Sequence, residues 1–273
     1  MSIEQIVILA IVQGITEFLP ISSSGHLILV PLFTGMADQG LVTDVMVHVG
    51  SLFAVIVYFW RDVLRLAGGA FDLVRGRMTD WGRMVLMILL ATIPAVVFGL
   101  YLKSSGLIDQ LRSVELIGWT AIVYAILMYL ADRFGARLKQ MEGMTLGPAF
   151  AIGIAQALAL IPGTSRSGVT MTAARALGFE RPEAARFSFL LGIPAIAGAG
   201  LFTVLDFVEA GEPVPSDALL AAGLTFFSAL AAIAFLMALV KRMSFLPFVI
   251  YRLVLGAVLL GIAYSGTQLP GAA

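Results

Sequence analysis

Long runs of apolar residues alternate with short polar segments along almost the whole chain. A helix rises about 1.5 Å per residue, so crossing the hydrocarbon core of a bilayer takes about 20 mostly apolar residues. Six runs come close to that length, at residues 44–60, 83–102, 114–130, 184–205, 218–240 and 248–264. The pattern therefore predicts an all-α, polytopic membrane protein with six full transmembrane helices.

Two further apolar regions are interrupted by polar residues and look too broken to cross. Residues 3–19 break at 20–25 and resume at 26–33, while residues 146–161 break at 162–168 and resume up to 177. Non-helical backbone persists at membrane depth only where protein or a water-filled cavity satisfies its polar groups. Each region therefore predicts a re-entrant helical hairpin, with a first tip at 20–25 and a second tip at 162–168.

The two hairpins resemble each other in sequence. The elements Gln13, Leu19-Pro20 and Ser24-Gly25 recur as Gln156, Ile161-Pro162 and Ser167-Gly168 at an offset of about 142 to 143, and Gly50 corresponds to Gly192. We interpret this as an internal repeat, with halves of about 1–135 and 136–273 in a single membrane domain spanning 1–273. Interrupted helices at equivalent places in two halves often mark a binding site near the bilayer midplane.

The distribution of basic residues predicts how the halves are inserted. Arginine and lysine collect at 61–83, 133–139 and 241–242, whereas 206–217 is acidic and 103–112 is only sparsely basic. If the basic segments face the cytoplasm, both termini lie outside. The first hairpin then enters from outside and the second from the cytoplasm, so that the halves are inverted and the two polar tips can meet inside the membrane.

Composition strengthens the membrane assignment and removes several classes of function. The chain is 60% hydrophobic and 12% charged, which is far from an ordinary soluble domain. Its formal net charge of zero indicates no surface for nucleic acid. The absence of cysteine excludes disulfides, thiolate zinc sites and a cysteine nucleophile.

The first tip and its flanks carry an acid, a histidine and a row of serines. Gln13 and Glu17 are four residues apart, so they share one helix face beside the tip. A carboxylate at membrane depth costs about 2.5–3.5 kcal/mol and usually has a function. The alternative is that Glu17 lies near the interface and reaches water.

Several polar side chains follow Glu17, namely Ser22, Ser23, Ser24 and His26. A histidine can move a proton near neutral pH, and a serine beside it can act as a nucleophile. Ser22 and Ser24 can equally cap the following helix. The other histidine, His48, stands alone in an apolar span and is more simply interpreted as a packing residue.

The second tip has the composition of an anion site. It combines hydroxyl groups, small residues and Arg166 directly before a predicted helix start. Helix N-terminal amides and guanidinium groups both favour phosphate. An ion pair between Arg166 and Glu17 is the structural alternative.

Together the tips suit hydrolysis of a phosphoanhydride whose tail lies in lipid, because phosphoryl transfer depends largely on positioning and charge neutralisation. Arg166 and the amides of the second tip would hold phosphates, while Glu17 and Gln13 would hold a divalent cation, Mg²⁺ or Ca²⁺. Inverted repeats with broken helices also occur in secondary transporters. A transporter or flippase of a lipid phosphate or another anionic substrate therefore stays open.

The two clusters resemble the paired signatures of the bacterial undecaprenyl-diphosphate phosphatases, a family linked to bacitracin resistance. The first signature is present as Gln13, Glu17, Pro20, Ser22, Ser23, Gly25 and His26, and the second as Pro162, Gly163, Ser165, Arg166, Ser167 and Thr170. The resemblance implies removal of the terminal phosphate from undecaprenyl diphosphate, which recycles the lipid carrier for cell-wall polymers. It also implies a divalent cation and a plasma-membrane location, with the pocket open to the outer face.

The resemblance implies a role for each matching residue. The catalytic residues would be Glu17, Ser23, His26 and Arg166; the substrate-binding residues Ser22, Gly163, Ser165, Arg166, Ser167 and Thr170; and the metal ligands Glu17 and Gln13. Gln13 stands where a glutamate is more familiar, which leaves the cation one carboxylate fewer.

Two mechanistic schemes stay open at this point. Either Ser23 attacks phosphorus while His26 relays the proton, or Glu17 and the metal activate water. The implied partners are a polyprenyl diphosphate and membrane lipids, with no nucleic acid. A homodimer is left open.

Overall fold

The computed structural model describes residues 1–107, 111, 113–210 and 215–265, and these ranges form helices and no named strand. The predicted all-α fold is therefore confirmed. The α-helices are α1 (Ile3–Phe18), α2 (Ser23–Thr34), α3 (Gly40–Tyr58), α4 (Trp60–Val74), α5 (Asp80–Ser105), α6 (Val114–Phe134), α7 (Leu146–Leu158), α8 (Arg166–Ala176), α9 (Arg181–Ala210), α10 (Ser216–Val240) and α11 (Leu246–Ser265). A short 3-10 helix, Met141–Gly143, precedes α7.

Five of these helices, α3, α5, α6, α10 and α11, are long and apolar enough to cross a membrane. They coincide with five of the six predicted spans, so a multi-pass membrane protein is confirmed. The sixth predicted span, 184–205, lies within the 30 residues of α9. Part of it falls outside the residues whose side chains are described, and this crossing stays a prediction.

Each predicted hairpin is a pair of helices that pack against each other, α1 with α2 and α7 with α8. The helix breaks differ from the predicted ones at both ends. The first break covers 19–22 and the second 159–165, because α2 begins at Ser23 and α8 at Arg166. Both predicted breaks end three residues too late, because the polar and small residues at 23–25 and 166–168 lie in the first turns of α2 and α8, where capping satisfies their backbone groups.

The basic segment after α3, where no span was predicted, is helical. Helix α4 follows α3 directly and packs against α5 through Gly69, where a Cβ atom would lie 2.4 Å from the Trp81 backbone. It exposes Trp60 and Leu64 beside Arg65. Apolar and basic side chains on neighbouring faces are typical of a helix lying in the membrane interface. Because such a helix contains no long apolar run, the pattern of apolar runs did not predict it.

Ion pairs join segments that were predicted to face the same side of the membrane. The amino group of Met1 lies 2.6 Å from Asp217, and both were predicted outside. Arg186, near the cytoplasmic end of the predicted span 184–205, binds Asp62 at 2.7 Å and Glu142 at 3.0 Å, and both acids were predicted on the cytoplasmic side. These contacts agree with the predicted topology, while the absolute orientation stays a prediction.

A largely buried network of charged residues holds the end of α8 that is remote from the tips. Asp132 of α6 accepts hydrogen bonds from Arg175 at 3.2 Å, from Arg181 at 2.6 Å and from the Phe245 amide at 3.0 Å. Arg175 is fully buried. Because the network joins α6, α8 and α9 to the start of α11, it holds the second hairpin in place within the bundle.

Candidate active site

Both tips have the same unusual backbone turn. Ser22 and Ser165 have φ angles of 78° and 72°, and among the described residues they are the only non-glycine residues with positive φ. Each is the N-cap of the following helix, accepting a hydrogen bond from the amide of Gly25 at 3.4 Å or Gly168 at 3.1 Å. The remaining amides of the first helical turn lack partners within their helix. Two helix N-termini, which are suited to an anion, are thus built alike.

The carboxylate of Glu17, at the end of α1, joins the two tips. Ser23 donates from Oγ to Oε2 at 2.6 Å, and Arg166 donates from Nη2 to Oε1 at 3.0 Å. Ser23 is the first residue of α2, and Arg166 is the first residue of α8. The predicted meeting of the two tips is therefore present, and the ion pair that was considered as an alternative is present with it.

Two more side chains surround the same carboxylate. Gln13, one turn earlier on α1, donates from Nε2 to Glu17 Oε2 at 3.1 Å, as its spacing predicted. His48 places Nε2 3.4 Å from Glu17 Oε2, and its Nδ1 lies 2.6 Å from the Asp44 carbonyl oxygen. His48 therefore faces the site, and the interpretation of His48 as a packing residue is wrong. The only signal in the sequence was a polar side chain within an apolar span.

Helix α9 contacts the guanidinium group of Arg166. Nη1 of Arg166 donates to the Ser188 carbonyl at 3.1 Å, and a Cβ atom on Gly192 would lie 2.2 Å from Nη1. The hydroxyl groups of Ser188 and Thr170 are 2.6 Å apart. Neither Ser188 nor Gly192 was singled out as a site residue. Because a guanidinium has five N–H donors, these contacts leave others for a ligand, and the ion pair with Glu17 does not exclude phosphate binding.

Several predicted substrate-binding residues have internal contacts that shape the tips. Ser167 donates from its hydroxyl to the carbonyls of Glu17 at 3.1 Å and Leu19 at 3.2 Å, so it fastens the second tip to the end of α1. Gly163 has a φ of 85°, and a Cβ atom there would lie 2.1 Å from Thr120 Oγ1. Like the capping Ser22 and the buried Thr170, these residues support the turn, and their direct contacts with substrate stay predictions.

His26 lies beside the first tip but points away from Glu17. Its Nδ1 is 2.6 Å from the Ser22 carbonyl oxygen, and its Nε2 is 2.6 Å from the hydroxyl of Tyr251. The two rings stack with their centroids 5.8 Å apart. The structure does not bring His26 to the Ser23 hydroxyl, which donates to Glu17 instead. A proton relay by His26 stays a prediction, and the observed contacts make it a support of the Ser22 turn.

A cavity of about 330 Å³ opens over this cluster. Its polar lining consists of Glu17, Ser23, Ser24, Asp44, His48, Ser165 and Arg166. Its apolar walls include Leu41 and Val45 of α3 and Ala195 and Ile196 of α9. The cavity therefore suits an amphiphile whose anionic head contacts the tips while its apolar part passes between α3 and α9.

The predicted metal ligands offer oxygen atoms only. Among the described residues, no group of three or more His, Cys, Asp or Glu side chains could hold a metal. Oε1 of Gln13 is buried without a hydrogen-bond partner, and it belongs to a side chain that already binds Glu17. Mg²⁺ is commonly held by one or two protein oxygens together with substrate phosphates and water. Gln13 and Glu17 fit such an ion better than a calcium site made of protein ligands.

Comparison with known proteins points to one family. Residues 6–258 match the family described as bacitracin resistance protein BacA. The chain is 49% identical over 267 residues to a protein of Roseobacter denitrificans, covering 97% of this chain and all of that relative. It is 51% identical to a protein of Erythrobacter litoralis, covering 95% of this chain and 99% of that relative. Both relatives are named undecaprenyl-diphosphatase.

Proposed function

The chain belongs to the bacitracin resistance protein BacA family, and we propose that its site hydrolyses undecaprenyl diphosphate to undecaprenyl phosphate and phosphate. The protein is then a membrane-bound hydrolase that recycles the lipid carrier for cell-wall polymers. One observation carries the assignment of the site. Ser23 and Arg166, from the two tips, bind opposite oxygens of Glu17 on the floor of a cavity with apolar walls.

Binding of the diphosphate follows from the charges and amides around the cavity. Arg166 and the first amides of α2 and α8 face the region where the two tips meet, and all of them favour phosphate oxygens. The apolar residues that α3 and α9 contribute to the walls, Leu41, Val45, Ala195 and Ile196, suit the first isoprenoid units. The rest of the polyprenyl tail extends into the lipid.

For the chemical step, the geometry supports attack by Ser23. Its Oγ forms a bond to the terminal phosphorus while the bond from that phosphorus to the bridging oxygen breaks, and undecaprenyl phosphate leaves. The Ser23 proton passes to Glu17, its hydrogen-bond acceptor at 2.6 Å. Water then bonds to the phosphorus of the phosphoserine while the bond from that phosphorus to Ser23 Oγ breaks. Glu17 returns its proton to Ser23 Oγ and is ionised again, and both protons of the water leave with the phosphate. Phosphate is released and the starting state is restored.

A divalent cation belongs to the proposal. Glu17 and Gln13 would hold it, and it would supply charge neutralisation for the diphosphate. The alternative scheme, in which water attacks directly, needs no phosphoserine, so the variant Ser23→Ala separates the two schemes.

The test is phosphate release from undecaprenyl diphosphate by purified protein in detergent, with and without chelator. We expect release that depends on the cation and is lost in Glu17→Ala, Arg166→Ala and Ser23→Ala variants that remain folded. A Ser23→Ala variant that keeps activity within about tenfold would favour direct attack by water, since loss of a covalent nucleophile costs far more. A folded wild type that releases no phosphate would overturn the proposed function.

Transport of a lipid phosphate is not favoured. A transport site needs an anion-binding group such as Arg166, but it does not need a serine hydroxyl hydrogen-bonded to a carboxylate at the same place. That arrangement is the pairing of a nucleophile with a proton acceptor.

We place the protein in the bacterial plasma membrane, with the pocket open to the outer face. The loop charges and the ion pairs between segments of the same predicted side support this orientation. Because the chain has no cysteine, single cysteines can report accessibility without a background. With a thiol reagent that does not cross the membrane, Ser2→Cys should be labelled in intact cells and Arg77→Cys only after the cells are opened. Labelling of Arg77→Cys in intact cells would overturn the orientation.

A further inference from the structure

A buried arginine on α11 binds both tips, and no motif pointed to it. Arg252 is fully buried. Its guanidinium donates to the carbonyls of Pro20 at 3.2 Å and Gly163 at 2.9 Å, one in each tip. It also donates to the carbonyls of Thr120 and Ala121 of α6, both at 3.3 Å. A single side chain therefore connects the two tips to each other and to α6.

The two carbonyls occupy equivalent places in the two hairpins. Pro20 lies three residues before Ser23, and Gly163 lies three residues before Arg166. Ser23 and Arg166 are the residues that bind the two oxygens of Glu17. A shift of either carbonyl relative to the other would therefore change how Ser23 and Arg166 meet across the carboxylate.

The charge of Arg252 has no carboxylate partner in the described part of the chain. By contrast, the equally buried Arg175 binds Asp132. An uncompensated charge in a low-dielectric interior is costly, and such costs are usually retained for a function. The neighbouring Tyr251 reinforces the same connection, since its hydroxyl lies 2.6 Å from His26 Nε2, and His26 supports the Ser22 turn.

We propose that Arg252 is a positioning residue, which sets the spacing of the two tips and adds positive charge beneath the substrate diphosphate. This rests on the proposed function. The planar fork of arginine can bridge several acceptors at once, whereas lysine is a point donor. Arg252→Lys therefore keeps the charge and loses the bridge, while Arg252→Gln loses the charge as well.

The kinetic test compares both variants with the matched control Arg175→Lys, which alters an equally buried arginine outside the site. For Arg252→Lys we expect kcat to fall about 10²-fold with KM little changed, because small misplacements of reacting groups cost about this much. Arg252→Gln should also raise KM. Arg175→Lys should lower the melting temperature but change kcat and KM of the folded protein far less than Arg252→Lys does, because Arg175 lies at the end of α8 that is remote from the tips.

A second measurement needs no turnover. Spin labels on Phe33→Cys and Ala176→Cys, at the exposed far ends of α2 and α8, report the spacing of the two half-helices. We expect a broader distance distribution in Arg252→Lys than in the otherwise unchanged labelled protein.

An unbroadened distribution, or a wild-type kcat in Arg252→Lys, would overturn the proposal. Failure of both variants to fold would also overturn it, by making Arg252 a determinant of stability. An inactive wild type with broadened distances in the variant would instead count against the proposed function alone.

Discussion

The two hairpins have the same backbone design and opposite chemistry. Ser22 and Ser165 cap α2 and α8 with the same left-handed turn. The next residues, Ser23 and Arg166, both reach Glu17. Glu17 itself has no acidic counterpart, since an offset of 143 leads to Leu160. The two matching turns therefore present two helix N-termini of a kind that suits an anion. The side chains that differ between the hairpins bring an acid, a hydroxyl and a guanidinium to one cavity.

The largest effect should come from removing the guanidinium group of Arg166 in the second hairpin. Arg166→Ala should lower kcat/KM by about 10³- to 10⁵-fold, the range for an arginine that stabilises phosphoryl transfer. Thr172→Ala, which changes a hydroxyl on the same helix without touching the cavity lining, is the control. A loss below tenfold, measured by phosphate release, would remove Arg166 from the centre of the mechanism.

Equivalent glycines should separate activity from stability. A Cβ atom on Gly192 would lie 2.2 Å from the Arg166 guanidinium, whereas one on Gly50 would lie 2.2 Å from the Ala222 backbone oxygen. Gly192→Ala should displace the mobile end of Arg166 and lower kcat by about 10²-fold with a small change in melting temperature.

Gly50→Ala forces two helices apart, so it should destabilise the protein by about 1–3 kcal/mol, with near-normal activity of the folded fraction. Thermal unfolding followed by activity assays on the folded fraction measures both variants. If Gly50→Ala lost activity without losing stability, the comparison between the two halves would fail.

The equivalent glutamines of the two hairpins, Gln13 and Gln156, should differ in their effect on the Mg²⁺ requirement, and this effect should be smaller. Gln13 donates to Glu17, whereas Gln156 donates to the Ala91 carbonyl at 3.2 Å. Gln13→Leu should raise the concentration of Mg²⁺ needed for half-maximal activity by about tenfold, because the variant removes one of the two proposed oxygen ligands. Gln156→Leu should leave that requirement unchanged. Titration of activity with Mg²⁺ distinguishes them, and equal shifts would argue against Gln13 as a ligand.

The smallest effects should come from the caps. Ser165→Ala removes the acceptor for the Gly168 amide, and Ser22→Ala does the same for Gly25. Each should cost about 0.5–2 kcal/mol of stability. Denaturant or thermal unfolding provides the measurement. Ser104→Ala provides the baseline, because the exposed Ser104 hydroxyl donates to the Tyr101 carbonyl of its own helix. Caps without a measurable cost would mean that tertiary contacts alone hold the turns.

Long apolar runs made the transmembrane helices readable, because crossing a bilayer demands length and apolarity whatever the neighbours are. The interrupted hairpins and the contact between Gln13 and Glu17 could also be predicted, because they follow from local features: polar residues within apolar runs and a spacing of four residues on one helix. Helix α4 could not be predicted in the same way, because it mixes apolar and basic residues and has no long apolar run. The roles of His48, Gly192 and Arg252 were hidden as well, since each depends on a partner far away in the chain.

The sequence by itself determined the membrane class, the two tips, the acid and the arginine that meet there, and the family that these motifs indicate. Only the tertiary structure decided which donors surround Glu17, since His48 came to the carboxylate while His26 turned to Tyr251. It also revealed that Arg252 binds both tips. The physical reason is that helix formation and insertion depend on local composition, whereas hydrogen-bond partners depend on how helices that are distant in the chain pack against each other.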